Sequence, residues 1–344
     1  MPLNITNSLT IGKYAKKAAD PFIWVAVANT IIATVSTPII IRSTNGKDWE
    51  AVGSNGGFTT GAWDVAYNNG LWLATAQQGT LIIKSTDDGK TWSSTGEKGG
   101  ILGTTSVAYG KDNNNNGLWV VVGEGSIIVS SPDGNNWTAA TWTAPIIVTS
   151  FNAVRDVAYG NGLWVATGYG SRSIAKSTDG KNWSEVTHFP TGIGLGVAYG
   201  NGVWIVVYGD PVIVRSTDGG ATWSNVPAGS MAGFLGGTCV AYGEDGAGNG
   251  RWVAGGLSYR TGPKIVFSSD NGASWSAAAS PAGITAGHGV VYGQDGAGNK
   301  RWVIVGEGGS KIAYSSDGSN WTAAASNGGV TGTNSNVRGV AFKI

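Results

Sequence analysis

The chain has 344 residues, of which 57 are glycine and 12% are charged, and its formal net charge at pH 7 is +1. Glycine is far above its usual share of ~7% and charged residues are about half of theirs, but no Gly-X-Y period is present, which excludes collagen and favours many tight turns. The low net charge gives no electrostatic basis for binding nucleic acid or an anionic membrane. A single cysteine, Cys239, excludes an intrachain disulfide framework and a cysteine metal site, and we expect no cofactor and no metal.

Residues 1–20 precede any repeated pattern and are predicted to form an N-terminal arm. They carry Lys13, Lys16 and Lys17 beside apolar residues that suit a short helix or an extended segment. No apolar run is long enough for a signal peptide or a transmembrane span. The sequence therefore predicts a soluble chain without a classical export signal or membrane insertion. We expect the arm to be a docking segment for a protein partner.

Beyond the arm, a serine, an acidic or amide residue, a glycine and a tryptophan recur together seven times. The tryptophans of successive copies are 40 to 52 residues apart. The copies are Ser43–Trp49, Ser85–Trp92, Ser131–Trp137, Ser177–Trp183, Ser216–Trp223, Ser268–Trp275 and Ser315–Trp321. A period of this length is typical of repeat architectures, including propellers.

Each copy is preceded by three further recurring segments, of which Val-Ala-Tyr-Gly is the first. The second places a tryptophan ahead of a β-branched or small apolar run, and the third is Ile/Val-x-x-Ser. These segments are short, rich in β-branched and aromatic residues, and bounded by Gly, Asn and Asp, which is typical of strands. We predict four antiparallel strands per unit, repeated seven times.

The two ends of the chain predict how these units close into a ring. The first unit begins at its second strand, Phe22–Ala26, and its missing first strand is found only at the C-terminus, in Val340–Ile344. Four-stranded sheets alone leave open edges, whereas seven of them packed around an axis protect those edges. Residues 21–344 are therefore predicted to form an all-β, seven-bladed β-propeller, closed by the C-terminal strand joining the first blade.

The repeated turn resembles the Asp box, and residues 21–344 are similar to the Asp-box, or BNR-repeat, propellers. The form Ser-x-Asp-x-Gly-x-Thr/Ser-Trp is complete in Ser85–Trp92, Ser216–Trp223 and Ser268–Trp275. The resemblance implies a sialidase-like propeller whose Asp boxes hold hairpins on the face away from the family's active site. The fold is shared by sialidases, some glycoside hydrolases, a photosystem assembly factor, lectin-like proteins and modules of phage or viral surfaces, so it leaves the function open.

The residues that sialidases use are not evident in this chain. Sialidases need an arginine triad, a tyrosine nucleophile paired with glutamate, an acid/base aspartate and usually an Arg-Ile-Pro start, and Arg-Ile-Pro is missing. A ring of positions lies five residues after each second-strand tryptophan: Asn29, Gln77, Glu124, Tyr169, Gly209, Leu257 and Glu307. Glu124 and Glu307 stand too far apart around it for a catalytic pair. We expect no enzyme activity, with a sialidase-like glycoside hydrolase as the less favoured alternative.

The best ligand-site candidates are residues that the repeat does not explain. With the Asp box between the third and fourth strands, the opposite face carries the loops between blades, and the residue two before each Val-Ala-Tyr lies near the axis. These positions hold Trp63, Thr105, Arg155, Leu195, Thr238, His288 and Arg338, and the next position adds Asp64 and Asp156. Convergent polar groups beside an aromatic ring suit a glycan, an acidic side chain or a peptide. The alternative is that Arg155, Asp156 and neighbouring groups merely pair with each other and cap strand ends.

These observations favour a non-enzymatic binding or scaffold propeller. Its low charge and its many Asn, Thr, Ser and Gly residues suit a structural or receptor-recognition component of a larger assembly, such as a virion, phage tail or surface appendage. The alternative is a lectin-like, glycan-binding propeller. The partners expected are a protein, contacted through the arm, and a cell-surface glycan or receptor.

Overall fold

The structure is a computed structural model that describes residues 22–32, 35–53, 56–58, 61–76, 82–96, 99–142, 153–170, 173–186, 192–295, 297–330 and 335–343. For residues 29–32 and 35–39 only the backbone is described. The predicted N-terminal arm, residues 1–20, lies outside the described residues. No helix in the described part of the chain is long and apolar enough to cross a membrane.

The described residues form 29 strands and one short 3-10 helix, Ala228–Ser230. In chain order the strands are β1 (Trp24–Ile32), β2 (Val35–Ser43), β3 (Glu50–Ala51), β4 (Ala62–Asn68), β5 (Leu71–Ala76), β6 (Ile82–Ser85), β7 (Ser93–Ser94), β8 (Thr104–Lys111), β9 (Gly117–Gly123), β10 (Ile128–Ser131), β11 (Thr138–Ala139), β12 (Thr141–Trp142), β13 (Ala153–Gly160), β14 (Leu163–Tyr169), β15 (Ile174–Ser177), β16 (Asn182–Glu185), β17 (Gly194–Gly200), β18 (Val203–Tyr208), β19 (Ile213–Ser216), β20 (Ser224–Asn225), β21 (Gly237–Glu244), β22 (Gly250–Gly256), β23 (Ile265–Ser268), β24 (Ser276–Ala277), β25 (Ile284–Gln294), β26 (Lys300–Gly308), β27 (Ile312–Ser315), β28 (Thr322–Ala323) and β29 (Asn336–Phe342).

These strands build seven antiparallel sheets, which confirms the predicted seven-bladed β-propeller. Six sheets have four strands, and the sheet of β13–β16 gains a fifth because β12 pairs in parallel with β16. One strand from each sheet lies innermost, namely β29, β4, β8, β13, β17, β21 and β25, and these contact one another in a closed series. The ring therefore has an inner wall of seven strands, one from each blade.

The ring is closed by the C-terminal strand, as the sequence predicted. Strand β29 pairs with β1 in register from Trp24↔Phe342 to Asn29↔Asn336, and it supplies the innermost strand of the first blade. The rings of Trp24 and Phe342 pack with their centroids 4.6 Å apart. Because the two chain ends share one sheet, the first blade cannot be completed until the whole chain has been brought together.

The Val-Ala-Tyr-Gly segment sets the contact between neighbouring blades. Each tyrosine packs on the second-strand tryptophan of its own blade, as Tyr199 does on Trp204 at 5.0 Å between centroids. On its other side the same tyrosine lies against the glycine that ends the preceding inner strand, and a Cβ built at Gly160 would lie 2.3 Å from the Tyr199 ring. The glycine is required because no side chain fits between the two blades there.

The repeated serine-aspartate turns hold the outer hairpins, which is the structural role predicted for them. In one copy the Ser216 hydroxyl donates to Asp218 Oδ1 at 2.8 Å and accepts from the Gly220 N–H at 2.9 Å, while Asp218 accepts from the Thr222 N–H at 2.9 Å. The amide copy works in the same way, since Asn45 Oδ1 accepts from the Lys47 N–H at 2.9 Å. These turns connect the third and fourth strands, on the face opposite the loops that join the blades.

Candidate functional site

Each of the seven inner strands carries a β-bulge, which leaves one residue without a partner on the neighbouring strand. In β13, Val154 pairs with Gly168 and Asp156 pairs with Thr167, so that Arg155 is the extra residue. Two residues before each Val-Ala-Tyr-type segment, the extra residues are Trp63, Thr105, Arg155, Leu195, Thr238, His288 and Arg338. Strand β25 carries a second bulge at Thr285, which does not line the cavity described below. A bulge bends its strand and re-aims the side chain that it carries. All seven positions predicted from the repeat are thus bulged residues.

All seven bulged residues line one central cavity of about 420 Å³. Because the extra residue interrupts the alternation of side chains along the strand, the residue after the bulge also reaches the lining in six strands. These following residues are Asp64, Ser106, Asp156, Cys239, Gly289 and Gly339. The structure therefore brings together all six residues singled out as a candidate site: Trp63, Asp64, Arg155, Asp156, His288 and Arg338.

Two arginines face this cavity, and each lies over an aromatic ring. The Arg155 guanidinium is 4.5 Å from the centre of the Tyr169 ring, and that of Arg338 is 4.9 Å from the centre of the Trp63 ring. Arg338 Nε donates to Asn336 Oδ1 at 3.0 Å, whereas the buried Nε of Arg155 has no hydrogen-bond partner among the described residues. A guanidinium that lies over an aromatic ring keeps its N–H groups free to donate hydrogen bonds.

No described carboxylate forms an ion pair with either arginine within 4.0 Å. Of the alternative derived from the sequence, the pairing of Arg155 with Asp156 is not seen, whereas neighbouring groups do pair, Asp156 with Ser106 and His288 with Glu307. Asp156 lies beside Arg155 in the chain but accepts backbone N–H groups instead. Among the described residues, Arg155 is therefore contacted by the Tyr169 ring rather than by a carboxylate.

His288 is held by Glu307, with 2.8 Å between Nε2 and Oε1. Burial lowers the pKa of His288, and the hydrogen bond from His288 holds the pKa of Glu307 at about 2. The imidazole is therefore neutral at neutral pH and must carry its hydrogen on Nε2 to donate to the ionised carboxylate. The charge of Glu307 also acts on Arg338 and raises its pKa, although burial of Arg338 lowers it more.

Members of the second ring of positions contribute to this site unequally. Tyr169 and Leu257 line the cavity, and Glu307 orients His288. Gln77 and the side chain of Asn29 lie outside the described residues. The sequence singled out this ring by its offset from the tryptophans, but the stacking of Tyr169 under Arg155 has no signal in the sequence, since the two residues are in different strands.

Asp64, Ser106 and Asp156 follow the bulges of three consecutive blades and form one hydrogen-bonded cluster. The Ser106 hydroxyl oxygen lies 2.8 Å from Asp64 Oδ2 and 2.7 Å from Asp156 Oδ1. The carboxylate oxygens also accept backbone N–H groups of Val65, Val107, Val157 and Val197, at distances between 2.8 and 3.0 Å. Both carboxyl groups thus tie neighbouring inner strands together. Within the described ranges, no group of three His, Cys, Asp or Glu side chains could hold a metal ion.

Comparison with known proteins shows the fold and no closer relationship. No family model matches the chain, and no curated protein matches it significantly. Among solved structures, it is similar to YCF48 bound to D1 peptide, with a TM-score of 0.57 and 17% identity over 83% of this chain and 87% of that one. It is also similar to the GH74 xyloglucanase from Xanthomonas campestris, with a TM-score of 0.53 and 14% identity over 83% of this chain and 52% of the enzyme. The computationally designed Ika8 protein gives a TM-score of 0.52 at 10% identity, covering 84% of this chain and 83% of that chain.

Proposed function

We propose that this propeller is a non-enzymatic binding protein whose central cavity holds an anionic group, a carboxylate, of a partner molecule. The observation that carries this proposal is the pair of arginines on bulged residues, each stacked on an aromatic ring and neither paired with a described carboxylate. Arginine presents its N–H groups in a planar fork that matches a carboxylate, and a stacked fork loses little freedom on binding.

The size of the cavity limits what can enter it. Its volume of about 420 Å³ lies in the range of small-molecule sites, so it admits a side chain, a chain terminus or a sugar unit. It does not admit a folded domain. A large partner would accordingly insert a short segment into the cavity and lie across the face around it.

A role within a larger assembly fits this mode of binding. The exposed hydrophobic side chains Leu102 and Tyr259 both belong to loops on the cavity side of the ring, where a partner's surface would lie. The structure of YCF48 with D1 peptide offers a precedent for a peptide on a propeller of this fold. We propose a peptide carboxylate as the group bound, with residues 1–20 as a second contact to the assembly.

A binding panel tests the proposal. Short peptides with free acidic groups should bind, and the same peptides with amidated carboxyl groups should not. An array of acidic and neutral glycans is tested in parallel. Binding to the glycans alone would show that the ligand is a glycan and not a peptide. Arg155→Gln and Arg338→Gln should each weaken binding about tenfold or more, since a hydrogen bond to a charged group contributes about 1.5–3 kcal/mol.

Arg251→Gln is the matched control for these variants. Arg251 is also stacked on an aromatic ring, with its guanidinium 4.8 Å from the centre of the Phe267 ring, but it does not line the cavity. Its substitution removes one charge from the same fold and should leave the affinity unchanged. Equal affinities for wild type, Arg155→Gln and Arg338→Gln would contradict the proposed site.

A further inference from the structure

If both carboxyl groups in the cluster of Asp64, Ser106 and Asp156 are ionised, the cluster lacks one hydrogen for its hydrogen bonds. The Ser106 oxygen is within hydrogen-bond distance of a carboxylate oxygen on each side, at 2.8 and 2.7 Å. A serine hydroxyl carries one hydrogen and can donate to only one of them. If both acids were ionised, the lone pairs of the second carboxylate would face those of the serine oxygen in a buried site.

One additional proton removes this conflict. A protonated carboxyl group on one side donates to the Ser106 oxygen, and the Ser106 hydroxyl then donates to the ionised carboxylate on the other side. The protonated oxygen can still accept its backbone N–H, so every donor and acceptor of the cluster has a partner. An asparagine could not replace either aspartate, because both oxygens of each carboxyl group accept backbone N–H groups.

We propose that Asp64, Ser106 and Asp156 hold one shared proton in the wall of the central cavity, and that a carboxylate entering the cavity binds together with that proton. The second part rests on the proposed function. An incoming negative charge makes ionisation of the pair less favourable, and by linkage the affinity for the carboxylate falls as the pair loses its proton.

The surroundings of the pair support this assignment. Burial raises the pKa of Asp64, and burial together with the charge of Asp64 raises that of Asp156 to about 7. The titratable and charged groups that face the pair from the neighbouring strands are Arg155, Tyr169, Cys239, His288 with its partner Glu307, and Arg338. Burial raises the pKa of the Cys239 thiol to about 12 and lowers that of His288, so both stay neutral. Neither arginine forms an ion pair with Asp64 or Asp156 within 4.0 Å.

Carbon-13 NMR of aspartate carboxyl groups in the ligand-free protein tests the shared proton. At about pH 5.5 one of the Asp64 and Asp156 signals should still belong to a protonated carboxyl, while Asp87, whose pKa is lowered to about 2 mainly by bonds from Thr91 that outweigh its burial, is ionised. Ser106→Ala removes the bridge, so the lower of the two apparent pKa values should rise and the upper one should fall. Ser130→Ala, a buried serine of β10 in the same blade, is the control and should move neither.

Two outcomes would overturn the proposal at this stage. One is ionisation of both carboxyl groups below about pH 4, and the other is an unchanged pair of titrations in Ser106→Ala. Acetate, with acetamide as its uncharged counterpart, then tests the coupling. Acetate should raise the upper apparent pKa of wild type, and acetamide should not. If acetate perturbs the signals of Arg155 and Arg338 without moving that pKa, the coupling is wrong. If acetate does not bind, the proposed function fails while the shared proton stands on the ligand-free titration.

Discussion

At the scale of single residues, the packing between blades depends on glycines, because they have no side chain. In five inner strands the glycine that follows the Val-Ala-Tyr-type segment meets the tyrosine or phenylalanine of the following blade, and at Gly200 a Cβ would lie 2.2 Å from the Tyr242 ring. The tyrosine is held in turn by its own tryptophan, with the Tyr242 and Trp252 centroids 5.1 Å apart. Because neither ring can withdraw, even one methyl group forces the two blades apart.

Substitution of Gly200 should therefore destabilise the whole propeller. We expect Gly200→Ala to lower the free energy of unfolding by about 1–3 kcal/mol, as overpacking of a dense core does. Urea denaturation followed by tryptophan fluorescence measures the change. Gly229→Ala is the matched control, since a Cβ there meets nothing within 4 Å and the variant should unfold like wild type. Similar midpoints for Gly200→Ala and Gly229→Ala would show that this contact does not set the blade spacing.

At the scale of strands and turns, the repeat made the position of the cavity predictable but not its geometry. Each bulged residue stands at a fixed offset before Val-Ala-Tyr, so counting from the motif finds all seven. The bulges themselves have no signature, since tryptophan, threonine, arginine, leucine and histidine share no property that marks an unpaired residue. The Ser106 bridge was also hidden, because its partners Asp64 and Asp156 lie 42 and 50 residues away in the chain.

The repeated turns make a separate prediction about acid stability. Hydrogen bonds from Thr222 and Ser216 to the Asp218 carboxylate lower its pKa to about 2. A pKa below that of the unfolded chain stabilises the fold above about pH 4, and this contribution is lost as the pH falls towards about 2. Asp218→Ala should therefore cost about 1 kcal/mol at pH 7, and the difference from wild type should shrink in acid. Asp218→Asn should lie between wild type and Asp218→Ala at pH 7, because an amide keeps the accepting oxygen, as Asn45 does, but not the charge.

Denaturation of these variants between about pH 2 and pH 7 measures both effects. A pH-independent difference between Asp218→Ala and wild type would mean that the carboxylate charge contributes nothing to this turn. If Asp218→Asn is as unstable as Asp218→Ala, the turn is stabilised by the charge of the carboxylate and not by its accepting oxygen.

At the scale of the whole molecule, the central cavity exists only because the ring is closed. The cavity takes residues from all seven inner strands, and Arg338 comes from β29, the strand that completes the first blade from the far end of the chain. The sequence predicted this closure because the first unit lacks a first strand and the last residues supply one. The nature of the ligand could not be predicted from the fold, since proteins as different as YCF48 and a GH74 enzyme share it.

The central claim, that the cavity binds a carboxylate, is tested most directly by locating one in a crystal. Crystals soaked with 4-bromobenzoate should show an anomalous bromine signal in the cavity, with the carboxylate density facing the guanidinium of Arg155 or Arg338. Crystals soaked with 4-bromobenzamide, and crystals of the Arg155→Gln, Arg338→Gln double variant soaked with 4-bromobenzoate, should show none there. An empty cavity in wild type, or equal occupancy by the benzoate and the benzamide, would contradict the account.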